Sequence, residues 1–181
     1  GIYEIIERDA CMTMYLTQLP PKKIDVKSIK NSTIQKIVRY INRYNMTVDI
    51  FDITNDLSIP SFMTCLSDAT GVGPAITIGS KSSLNTIDAI LGSMEEACML
   101  RPGIRYQRAK NSQKEVRLKI TTALERANFW YEKRNMKYLN FFLKQKSIKS
   151  YYNTTFHSEK KQLALVIDAL KEKNMNLYYV D

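Results

Sequence analysis

The chain has 181 residues, 44% hydrophobic and 25% charged, with a formal net charge of +9. That length suits one domain with a sizeable buried core, and the balance excludes a disordered chain. No apolar run reaches the roughly 18 residues of a membrane span, and the first residues are too acidic and amphipathic to be expected to act as a secretory signal.

The opening, "GIYEIIERDA", reads as an amphipathic helix running to about Leu16. At about 100° per residue, Glu4, Glu7, Arg8 and Cys11 share one face and Ile2, Ile5 and Ile6 the other. Asp9 lies close to the isoleucine side, where a carboxylate needs a partner. No Ser, Thr, Asn or Asp precedes the pattern as an N-cap, so the start is expected to be the middle of a longer helix. "LPPKKID" breaks this helix, and Ile34, Ile37, Val38 and Ile41 mark a second one. "TVDIFDI" alternates and is rich in β-branched residues, which predicts a strand; "SFMTCLSD" and "AITIG" predict two more. "GVGPAITIGSKSS" offers no phosphate cradle of the familiar kinds. No Gly-Lys-Ser/Thr closes it, and its Gly-x-Gly leads into a strand rather than a helix.

A long helix is predicted from about Asn85, as N-cap, to about Arg101, where Pro102-Gly103 should stop it. On it Asp88 and Glu95 share a face, with Glu96 at the edge and Gly92 leaving that face open between them. A mid-helix glycine costs about 1 kcal/mol relative to alanine, so a packing or ligand reason is expected. Val116, Ile120, Leu124 and Ala127 mark another helix, "YLNFFLKQK" a short apolar segment, and Leu163, Val166, Ile167 and Leu170 the last helix. "LYYVD" reads as a closing strand. The order predicts a layered α/β domain with a mixed sheet flanked by helices, one domain over 1–181, with both ends expected to be cut.

Cys11, Cys65 and Cys98 form no CxxC pair and are odd in number, which favours a reducing cytoplasm over a disulfide framework. His157, the only histidine, has no zinc-ligand spacing around it and reads as a surface residue. The basic charge is dispersed, without a nucleic-acid motif, so a solvated surface is the expectation and RNA or ribosome association the alternative.

Three stretches in this order and spacing, "GIYEIIERDA", "FDITNDLSIPSFMTCLSD" and "ITIGSKSSLNTIDAILGSMEEACMLRPGIR", resemble the YcaO family. The family pattern has a Glu-x-x-Glu-Arg-Asp-Ala helix and a strand leading to an Ile-Pro-strand-Asp segment. A glycine-led loop then enters a helix with a glutamate five residues before an arginine, as Glu96 and Arg101 stand here. The resemblance implies ATP binding without a P-loop and phosphorylation of a backbone amide oxygen in a peptide or protein substrate. Attack on the activated carbon then gives an azoline or a thioamide, and the two products stay open. It implies a cofactor site of Glu4, Glu7, Arg8, Asn85, Asp88 and Glu96, with Glu4, Glu7 and Glu96 as the Mg2+ ligands. No catalytic residue is assigned. The implied partners are a TfuA-like or leader-peptide-binding protein, and a homodimer stays open. The chain departs from the pattern at Met99, where Gln or Glu is common, and at Gly1, where Ser is. A non-catalytic YcaO-like scaffold is the competing reading.

Overall fold

In the computed structural model, residues 1–110, 120, 122–149 and 158–178 are described. Helix α1 (Ile2–Thr17) leads to a short strand β1 (Lys22–Ile24) and helix α2 (Ser32–Asn42). Strands β2 (Met46–Asp52), β3 (Ser61–Asp68) and β4 (Ile76–Ser82) follow, then α3 (Thr86–Lys110). The remainder is α4 (Ala123–Phe129), a 3₁₀ segment (Lys133–Leu139) continuing into α5 (Asn140–Leu143), and α6 (Glu159–Glu172).

The strands form one sheet in the order β1-β2-β3-β4, each ladder antiparallel. Parallel pairing is confined, among the described residues, to an isolated bridge between Ile24 and Ile148. The layered α/β arrangement is as expected, and the mixed character of the sheet reduces to that bridge. β3 is the centre, with Leu66 opposite Val48 on one side and Thr64 opposite Gly79 on the other. Seven of its eight residues are buried, because both faces are covered.

Strand alternation divides the core in two. Val48, Ile50, Phe62 and Leu66 face Ile34 and Ile41 of α2 and Ala89, Ile90, Met94 and Ala97 of α3. Phe51, Met63, Cys65 and Ile76 face Ala10 and Met14 of α1, together with Leu139 and Phe142. A third cluster joins Ile6 of α1 to Leu57, Ile59 and Val166 of α6.

Four expectations need correction. β1 replaces the predicted break at "LPPKKID": a three-residue edge strand needs little pattern of its own once β2 offers its free edge. α3 runs on through Pro102 to Lys110. Proline removes one N–H from the ladder, and the Arg101 side chain ties the helix down at that point, as described below. Ile5 is 65% exposed, whereas Ile6 is buried, so the apolar stripe of α1 is Ile6, Ala10 and Met14. Of the helix expected from Val116, Ile120, Leu124 and Ala127, the described part is α4 from Ala123, with Ile120 outside it. Val116 and His157 lie outside the described residues, as do 179–181 of the expected closing strand; Leu177 and Tyr178 are exposed and in no described strand.

Candidate functional site

β4 is the free edge of the sheet at the end opposite β1, and an edge strand presents unpaired N–H groups. At Ser80 two helices meet that edge from opposite faces. Gly79 faces α3: a Cβ there would lie 2.4 Å from Ser93 O and from Ala97 N. By alternation Ser80 faces α1, and its hydroxyl donates to Glu7 Oε1 at 2.8 Å. Its backbone N–H donates to Glu96 Oε2 at 2.6 Å. A site shared by two helices is most simply built by packing them side by side. Instead α1 and α3 lie across the sheet from one another, and Glu7 and Glu96 converge because the edge between them is open.

A cleft of about 1050 Å³ lies over this edge, lined by Glu4, Glu7, Arg8, Ser80, Lys81, Glu95 and Glu96 among others. Glu7 is half-buried, and its pKa is raised. Burial is the main cause, and the charges of Glu96 and Glu4 add to it against the Ser80 hydrogen bond and Lys81. Burial, reinforced by Glu7 and Glu96, likewise pushes the Cys11 thiol up to about 11, against a hydrogen bond with Ser80. Cys11 is therefore a neutral wall residue at pH 7, not a thiolate nucleophile. Glu4 is exposed and ion-paired with Arg8 at 3.0 Å.

The expected site residues separate into two groups. Glu4, Glu7, Arg8 and Glu96 line the one cleft; Asn85 and Asp88 are not among its lining residues. The Asn85 side chain caps α3, its Oδ1 accepting from Ile87 N at 3.1 Å, and Asp88 is exposed. Asp9 finds Asn55, whose Nδ2 donates to Asp9 Oδ2 at 2.7 Å. Gly92 makes room for Lys81, whose Cγ would sit 2.8 Å from an added Cβ. The expected trio Glu4, Glu7 and Glu96 does not close on a single point, because Glu4 turns to Arg8. No cluster of three His, Cys, Asp or Glu side chains suited to one ion occurs among the described residues. Sequence reasoning missed Ser80, Lys81 and Arg126 in this lining. Ser80 and Lys81 lie in "IGSKSS", which lacks a Walker pattern and carries no spacing that marks either residue as part of a site.

Arg101 fixes the far end of the α3–β4 contact. Its guanidinium pairs with Asp68 Oδ2 and donates to Pro74 O at 3.1 Å. The Asp68 side chain is 2% exposed. Burial opposes its charge, but hydrogen bonds from Thr70 and Arg101 outweigh burial and hold its pKa below the ordinary range. Gly73 leaves the space that the guanidinium fills; a Cβ there would overlap it.

The family described as YcaO cyclodehydratase, ATP- and Mg2+-binding, matches residues 1–181. The chain belongs to the YcaO family. Among solved structures, this YcaO chain is similar to a heterocyclase in complex with substrate and cofactor, with 15% identity and a TM-score of 0.71. It is similar also to the heterocyclase TruD, with 17% identity and a TM-score of 0.66. It covers 22% and 23% of those two chains, and they cover 96% of it. The McbBCD microcin synthetase complex of E. coli with pro-MccB17 bound is a third, at 12% identity and a TM-score of 0.65, with 92% of this chain and 42% of that one covered. These likenesses show the fold. No curated protein sequence matches.

The cleft fits the nucleotide and metal named in the family description. Its donors are hard oxygens, suited to Mg2+, and Mg2+ is usually held by one or two carboxylates with phosphate and water oxygens completing the shell. Glu7 and Glu96, joined through Ser80, are two carboxylates that would suit such a shell, and the volume suits a ligand of nucleotide size. Among the described residues, no helix is long and apolar enough to cross a membrane.

Proposed function

We propose that this chain carries the ATP–Mg2+ part of an enzyme that activates a backbone amide of a peptide or protein for azoline or thioamide formation. The single observation behind this reading is the convergence of Glu7 and Glu96 on Ser80 at the open sheet edge. When bound, MgATP would supply the phosphoryl group that turns the amide oxygen into a leaving group. Glu7 and Glu96 would hold the metal; Glu4 orients Arg8, whose exposed guanidinium would be a donor fork for phosphate oxygens. Ser80 keeps the two carboxylates in register. Phosphoryl transfer depends on such positioning and charge neutralisation more than on covalent help from side chains. The expected partners remain a peptide substrate with a leader-binding or TfuA-like protein, in the cytoplasm.

The non-catalytic scaffold is the second reading, favoured by Met99. It lines the cleft and is 76% exposed, presenting a thioether where a polar ligand is common in the family. Calorimetric titration of MgATP decides between the two. Saturable, Mg2+-dependent binding that Glu96→Gln weakens supports the first; no binding by the wild type supports the scaffold.

A further inference from the structure

Four glutamates (Glu4, Glu7, Glu95, Glu96) and three basic side chains (Arg8, Lys81, Arg126) line the cleft. One of the basic groups is held in an ion pair. Arg8 is bound to Glu4 at 3.0 Å. Lys81 lies across Gly92 and acts on the charge of Glu7. Arg126 is exposed and has no ion pair among the described residues.

Its position relative to the sheet edge is nevertheless fixed. Trp130 N donates to Arg126 O at 3.2 Å, one helical turn on. Just beyond α4 two carbonyls accept at and before the start of β4: Ile76 N donates to Trp130 O at 3.3 Å, and Ala75 N to Tyr131 O at 3.2 Å. Arg108 of α3 adds an ion pair to Glu132 at 2.9 Å. α4 is thereby tied both to the strand that carries Ser80 and to the helix that carries Glu96. An unpaired guanidinium in the lining of a cleft that also holds four glutamates makes the cleft bipolar. Its acidic side suits a divalent cation, and its basic rim suits an anion carried with that cation.

We propose that Arg126 is a phosphate-binding residue of this cleft, holding polyphosphate oxygens against the Glu7–Glu96 side. The assignment rests on the nucleotide reading above and adds a residue from an element that no motif in the sequence marks. Guanidinium–phosphate pairs are charge-assisted and often bidentate, so Lys is an incomplete substitute.

The test titrates MgATP and magnesium tripolyphosphate, which lacks base and sugar, into wild type, Arg126→Ala and Arg126→Lys. Far-ultraviolet circular dichroism confirms folding, which an exposed side chain leaves intact. The expected result is a loss of about tenfold in affinity for both ligands in Arg126→Ala, in line with one charge-assisted hydrogen bond, and a smaller loss in Arg126→Lys. Unchanged affinities in Arg126→Ala overturn the assignment and leave the nucleotide reading standing. A loss for MgATP alone, or no tripolyphosphate binding by the wild type, overturns contact with phosphate. Failure of the wild type to bind either ligand overturns both.

Discussion

Glu7 is half-buried beside Glu96, and its ionised form is disfavoured in the folded chain. Above its ordinary value of 4.5, the folded state therefore holds a proton that the unfolded state has released. Stability falls as pH rises through that window, because the native state binds more protons. Glu7→Gln keeps an acceptor for the Ser80 hydroxyl and removes the charge. Without ligand, the melting temperature of the variant relative to wild type should climb as pH is taken from 4.5 up through the raised value. On the proposed function, the same change should lower ATP turnover by about 10²-fold or more, as is usual when a group that stabilises developing charge is removed. A wild-type rate at saturating magnesium would remove α1 from the site. Ile6 gives the structural contrast. It is 2% exposed in the α1–α6 cluster, whereas Ile5 is 65% exposed. Ile6→Ala should destabilise by about 2–5 kcal/mol through a cavity, and Ile5→Ala by less than about 0.5 kcal/mol, both read from denaturant melts. The sequence wheel placed both isoleucines on one side of α1. Periodicity gives the direction of an apolar face but not which flank of it the neighbouring elements cover.

At the scale of elements, the site depends on how closely α3 approaches β4. Gly79 permits that approach, since an added Cβ would meet helix backbone at 2.4 Å. Backbone cannot swing aside as a flexible side chain can. Gly79→Ala should therefore push α3 outward and lengthen the Glu96–Ser80 contact. The expected cost is about 1–3 kcal/mol, as for other overpacked sites, with weakened MgATP binding. Gly92→Ala meets only the Lys81 stem and should leave binding nearly unchanged. Equal melting temperatures for wild type and Gly79→Ala would show that the contact can relax. β2, β3 and β4 were legible because alternation and β-branched residues are local signals. The length of α3 was not, because Pro102 is a strong local stop that a long-range pair, Arg101 with Asp68, overrides. β1 was hidden for a related reason: its pattern is set by the free edge of β2 rather than by "PPKK". Glu4, Glu7, Arg8 and Glu96 were legible through the family motif. Ser80 was not, because its role arises from strand alternation and edge position, and no spacing along the chain encodes either.

For the whole molecule, α1 and α3 belong to different core clusters on opposite faces of the sheet, and the cleft is a place where both contribute to one surface. A ligand bridging Glu7 and Glu96 therefore ties the two layers together and resists unfolding of either. Binding to the native state alone stabilises it by RT ln(1 + [L]/Kd), about 2.7 kcal/mol at a hundredfold excess over Kd. For a domain of this size each kcal/mol moves the melting temperature by about 2–4 °C. MgATP at that excess should raise it by roughly 5–10 °C. ATP with a chelator should raise it by much less, since the carboxylates then face phosphate without an intervening cation. Glu7→Gln, more stable than wild type at neutral pH without ligand, should lose most of the MgATP response, so the two melting curves cross as nucleotide is added. Non-specific attraction of ATP to a chain of net charge +9 predicts another pattern. The shift would then persist with the chelator, survive Glu7→Gln, and fade as salt is raised, because exposed charges are screened over about 10 Å at 0.1 M ionic strength. Differential scanning fluorimetry across these conditions separates the two, and a chelator-resistant, salt-sensitive shift would count against a site at Ser80.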